Sequence, residues 1–105
     1  MGYAKERGKF ELLATKVSSL KFYDEKSLAI ITDIYEQFSH SLRILKNKNP
    51  EAFITLYQNE LEQVKLAKLT LKQSEETKRQ ENFLKFKDVL TNALDSAITT
   101  SKDVS

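Results

Sequence analysis

The residue in this chain best equipped for chemistry is its only histidine, His40, which sits in the stretch DIYEQFSHSLRIL, residues 33 to 45. Histidine serves as phosphoacceptor, general base or metal ligand only beside the right neighbours. A phosphotransfer histidine needs an adjacent lysine and a small residue that opens the ring to its partner. FSHSLRIL supplies serines but neither lysine nor glycine next to His40. A metal site needs a second histidine or a carboxylate pair at ligand spacing, and the Glu-x-x-His pattern of ferritin-like sites is broken because Gln37 stands three residues before His40. On a helix, Asp33, Gln37, His40, Arg43 and Asn47 fall along one polar side, with Glu36 one turn earlier. The expected state is an exposed histidine loosely paired with Glu36, a contact of about 0.2–0.5 kcal/mol.

Other reactive constellations are missing from the sequence. The absence of cysteine removes disulfides, thiolate zinc sites and cysteine nucleophiles. No glycine-rich phosphate loop, HExxH or Ser/His/Asp arrangement occurs. No catalytic, cofactor-binding or metal-ligating residues are therefore expected, and the chain reads as a binding protein rather than an enzyme. Seventeen basic residues stand against fifteen acidic ones, for a net charge of +2. The basic run Lys5, Arg7, Lys9, Lys16 and Lys21 is interrupted by Glu6 and Glu11, so the concentrated cationic face that nucleic acid requires is not expected.

The elements that must carry any surface are helical. Two glycines and one proline in 105 residues leave little turn chemistry for hairpins. Leu28, Ile31, Tyr35, Phe38, Leu42 and Leu45 recur at alternating spacings of three and four, which is a helical stripe. Ile30, Ile34 and Ile44 widen it enough to touch two neighbours. Asp24 is the expected N-cap of this helix. Phe10, Leu13, Val17 and Leu20 predict a first helix over 4–21, with Gly8 weakening its first turns and favouring a start near Lys9. The sequence NPE at Asn49 to Glu51 combines a cap, a first-turn proline and an acidic residue at the positive end of the dipole, and so opens a third helix.

That third helix presents Phe53, Ile54, Tyr57, Leu61, Val64 and Leu71, flanked by Leu56 and Ala67. Glu60 lies on the Phe53, Tyr57, Val64 row, where it is either partly buried or, as the favoured placement, a boundary residue extending into water. KQSEETKRQEN, residues 72 to 82, has no aliphatic or aromatic side chain and reads as an exposed extension of the third helix with a turn near Arg79 to Asn82. Asn82 then caps a last helix with Phe83, Phe86, Leu90, Ala93, Ala97 and Val104, beside Leu94 and Ile98, and the tail from Thr99 frays. The expected fold is all-α, a single domain over 1–105 built as an antiparallel up-and-down bundle with helices near 4–21, 24–47, 50–78 and 82–99.

Tyr3, Phe22 and Tyr23 are surplus to the first helix's core stripe, which makes them the candidate interaction surface, for a homodimer or another protein. The competing placement has Phe22 and Tyr23 closing the bundle end. The start MGYAKERGKF has no apolar segment of signal-peptide type, and no run approaches the ~20 apolar residues of a membrane span. A cytoplasmic location without direct membrane insertion is expected, either as a whole protein or as a domain attached to a membrane protein.

The layout from Ser27 to Val104 resembles one half of a PhoU-type domain, a family also found as the cytoplasmic tail of bacterial sodium/phosphate cotransporters. The resemblance lies in a helix, the connection KNKNPEAF, the long helix LYQNELEQVKLAKLTL, a polar break and the closing helix FLKFKDVLTNALDSA. It implies a helical regulatory domain whose partner is a membrane transport protein. The family's closing helix carries two acidic residues four apart that help bind metal. Asp95 matches the first, but Thr99 stands at the second, and Val64 or Lys65 stands where the preceding helix should present aspartate. Metal binding is therefore expected to be lost. Chain length and Lys/Asn/Ile-rich composition equally suit a stand-alone partner-binding bundle such as a bacteriocin immunity protein or secretion chaperone.

Overall fold

Two side-chain caps begin the central half of the chain. Asp24 Oδ1 accepts the Ser27 N–H at 2.7 Å, opening α2 (Glu25–Lys48). Asn49 Oδ1 accepts the Ala52 N–H at 3.3 Å, opening α3 (Pro50–Thr55) with Pro50 in its first turn. Each cap satisfies a backbone donor that the first turn of a helix otherwise leaves free. In the computed structural model, which describes residues 3–104, these helices join α1 (Ala4–Ser18), α4 (Leu61–Lys72) and α5 (Arg79–Asp103). A π-helical turn, Leu56–Glu60, joins α3 to α4 as one rod, and a 3₁₀ turn, Glu76–Lys78, precedes α5. The described residues contain no strand.

The fold is the all-α helical bundle its stripes predict. Both α1 and the third rod pack against α2 and α5. Phe10, Phe38, Phe53, Phe83 and Phe86 are wholly buried, with Ile31, Leu42, Leu45, Leu61 and Leu90 among them. The rings of Phe10 and Phe38 meet edge to face at 5.6 Å, and Tyr35 and Phe86 at 6.4 Å, the geometry aromatic quadrupoles favour. Small residues on α5, Ala93, Ala97 and Ser101, admit its neighbours closely. Ser101 is fully buried and donates to the Ala97 carbonyl at 2.7 Å, so its hydroxyl is satisfied without leaving the helix.

Several boundaries differ from the sequence reading. α1 begins at Ala4, as the 4–21 span has it and not near Lys9, because Gly8 lies inside a helix whose anchoring residues, Glu6 and Phe10, are buried on either side of it; its other end differs, at Ser18 and short of Lys21. The third helix stops at Lys72 rather than 78. α5 starts at Arg79, so Asn82 does not cap it but sits in its first turn and donates Nδ2 to Ser74 Oγ at 2.6 Å. That bond ties the turn to the helix it feeds. α5 also runs on to Asp103 instead of fraying at Thr99, held by Ser101 in the core position one turn beyond Ala97; Val104 is exposed.

The π turn has a sequence cause. Leu56 and Leu61 are five residues apart, and the Leu61 N–H bonds the Leu56 carbonyl, so one extra residue is taken up and both leucines face the core. Tyr57, which the sequence placed in the stripe, is displaced to the half-buried flank beside α2.

Candidate functional site

His40 is exposed, and among the described residues it makes no ion pair with Glu36. Tyr3, Phe22 and Tyr23 do not make one patch. Tyr3 precedes α1 and lays its ring edge on Phe53 at 5.4 Å, whereas Phe22 and Tyr23 come after the helix's far end. Tyr23 closes that end: its ring meets Phe83 at 6.0 Å, and its N–H donates to Gln80 Oε1 at 2.6 Å. Gln80 Nε2 in turn donates to the Lys21 carbonyl at 3.2 Å. Only Phe22 projects, at 71 % exposure.

A groove of about 450 Å³ runs between the third rod and α5, lined by Leu56, Glu60, Asp95, Ser96, Thr99 and Thr100. Glu60 is part-buried at the edge of this groove. It ends the π turn and faces α5, and its Oε2 is buried without a hydrogen-bond partner among the described residues. The groove brings Asp95 and Thr99, the positions singled out on the closing helix, onto one wall with Glu60 opposite. Val64 is buried in the core and Lys65 is exposed, so neither contributes to this groove. No group of three metal-ligating side chains assembles among the described residues.

The second groove lies between α2 and α4. α2 packs on α3 and on the π turn, then parts from α4 toward the other end of the bundle. The opening, about 430 Å³, is lined by Tyr23, Leu28, Thr32, Leu71, Lys68, Lys72 and Arg79. Its apolar floor comes from the α2 and α4 stripes; its rim is cationic. Lys68 Nζ lies 4.9 Å from the Tyr35 ring centroid and the Arg79 guanidinium 6.0 Å from that of Tyr23. Among the described residues none of the three cations has a carboxylate within 4.0 Å.

The basic strip continues down the α2 seam. Lys46 Nζ sits 4.5 Å from the Tyr57 ring centroid. Arg43 at the Tyr57 hydroxyl, with Lys46 and Lys65 near it, holds that phenol below its ordinary value. Tyr35 behaves oppositely, raised first by burial and then by Glu62 and Glu36, which place negative charge midway along the seam. These cations were not legible as a cluster in the sequence, because they are drawn from α2, α4 and α5. Only Lys65, Lys68 and Lys72, at helical spacings of three and four, carried a local signal. No helix among the described residues is long and apolar enough to cross a membrane. No family model, curated protein or solved structure matches the chain.

Proposed function

We propose that this chain is a non-enzymatic helical interaction module, and that the groove between α2 and α4 is where a partner protein docks. The observation that carries the reading is the apolar floor of Leu28 and Leu71 rimmed by Lys68, Lys72 and Arg79, cations that no carboxylate of the described chain neutralises. Interfaces combine an apolar centre with polar groups that orient the partner, and this groove has both. The test is a photo-crosslinking residue at Thr32, on the groove wall, in the chain expressed in its source cells, compared with one at exposed His40. A discrete adduct from Thr32 alone, lost when Leu28→Glu is added to a still-folded chain, supports the reading. No adduct, or equal adducts from both positions, rejects it.

The PhoU-type resemblance frames the partner as a membrane transport protein and the role as cytoplasmic regulation of phosphate transport. What supports it is layout: a helix over Glu25–Lys48, a capped connection at Asn49, a long rod ending at Lys72, a polar break and a closing helix over Arg79–Asp103. Separation of source cells into membrane and soluble fractions, probed with an antibody to this domain, tests it. A large membrane band supports a transporter-attached domain. A soluble band near 12.1 kDa rejects that and turns the reading to a stand-alone bundle of the immunity-protein or chaperone type.

A further inference from the structure

Charge, shape and spacing converge on one occupant for the groove between α2 and α4. Lys68 and Lys72 stand one turn apart on α4, about 6 Å along its axis, which matches the one-turn repeat of another helix. Arg79, at the start of α5, closes the same rim. Leu28 and Leu71 form the floor between them, and Thr32 adds a small side wall. Both walls are helices whose backbone groups are already bonded internally, so there is no sheet edge to which an extended strand could add; recognition must pass through side chains.

The acidic neighbours limit rather than cancel the rim. Glu62 and Glu36 lie by Tyr35 toward the middle of the seam, and Glu75 and Glu76 are exposed in the turn before α5. The cationic rim is therefore local. A long phosphate track is a poor match for it, and the tyrosine rings that could stack nucleobases are covered by Lys46, Lys68 and Arg79.

We infer that the occupant is an acidic amphipathic helix of the partner protein, seating an aliphatic side chain on Leu28 and Leu71 and setting carboxylates one turn apart against Lys68, Lys72 and Arg79. This rests on the docking reading above and names the chemistry of the partner at the same groove. Binding to such a rim is faster and tighter at low salt, and reversing one rim charge both removes an attraction and adds a repulsion.

The probe is a fluorescein-labelled synthetic peptide of about 15 residues, roughly four helical turns, with a leucine row flanked by glutamates at one-turn spacing. Controls are the same peptide with every glutamate changed to lysine and a labelled oligothymidylate. Fluorescence anisotropy is read with the unaltered protein and with Lys68→Glu, Arg79→Glu and the milder Lys68→Gln, each first checked for native helicity and melting. The acidic peptide is expected to bind, with Kd raised about tenfold or more by either charge reversal and a few-fold by Lys68→Gln. The lysine peptide is expected not to bind. Absence of acidic-peptide binding at about 1 mM, binding that ignores the variants, or tighter variant-sensitive binding of oligothymidylate overturns the inference. A Thr32 adduct in cells together with any of these results leaves the groove a docking site for a different chemistry; no adduct at Thr32 removes the docking reading itself.

Discussion

At the scale of single residues, the most informative side chains are acidic and sit at helix features. Asp24 is held below the ordinary carboxylate range chiefly by the Ser27 N–H it accepts. A folded-state value below the unfolded one means that the stabilisation is present above the unfolded carboxylate pKa of about 3.9 and is lost as pH falls through and below it. Asp24→Asn keeps a capping oxygen without the titration. Melts at about pH 7 are expected to be nearly unchanged, while the decline in melting temperature toward about pH 3 becomes shallower. Glu60 carries the opposite expectation, since its buried Oε2 has no partner among the described residues. Glu60→Met, similar in length and apolar, is expected to raise unfolding stability by about 1 kcal/mol in a urea titration, and a loss of that size would show that the carboxylate is satisfied in solution.

At the scale of elements, the π turn separates two interpretations of the third rod. If the five-residue spacing of Leu56 and Leu61 creates the turn, deleting the exposed Asn59 converts it to regular α-helix and leaves both leucines in the core. That deletion is expected to fold with a stability change within about 1 kcal/mol. Deleting Lys65 instead, in regular helix, rotates the rest of α4 by about 100° and turns Leu71 out of the core. It is expected to cost about 3 kcal/mol by the same denaturant measurement. Equal effects from the two deletions would refute the account of the turn. The break at residues 73–78 has a different origin: it has no apolar side chain to bury, and the Ser74–Asn82 contact, the Lys78–Glu81 ion pair and local backbone bonds hold it.

At the scale of the whole molecule, the bundle's ends and its surface are separable. Phe22 is exposed while Tyr23 is packed on Phe83, so Phe22→Asp is expected to stay folded, within about 0.5 kcal/mol of the parent, and Tyr23→Asp to destabilise it clearly. Sedimentation equilibrium of Phe22→Asp then tests whether Phe22 supports a homodimer: a parent that self-associates and a variant that does not would assign the interface to that ring. Phe38→Ala, at the wholly buried centre of α2, is expected to lose about 3–5 kcal/mol in chemical denaturation.

The stripes of α1, α2 and α5, the caps at Asp24 and Asn49 and the lack of turn residues were enough to determine an all-α bundle, because burial period and helix-start chemistry are local properties. His40's position among polar residues was legible for the same reason. The π turn had a local signal in the five-residue Leu56 to Leu61 spacing, yet a regular helix absorbed the same leucines and set Tyr57 in the stripe rather than on its flank. The end of α4 at Lys72 and the start of α5 at Arg79 were hidden because the segment's helix propensity argued one way and its lack of buried surface the other. The first helix over 4–21 already set Tyr3 apart from Phe22 and Tyr23, at its opposite ends; the tertiary structure alone set Tyr3 on Phe53 and Tyr23 on Phe83. It alone gathered Lys68, Lys72 and Arg79 around Leu28 and Leu71, because a groove is made where two rods diverge, and that divergence is a property of packing.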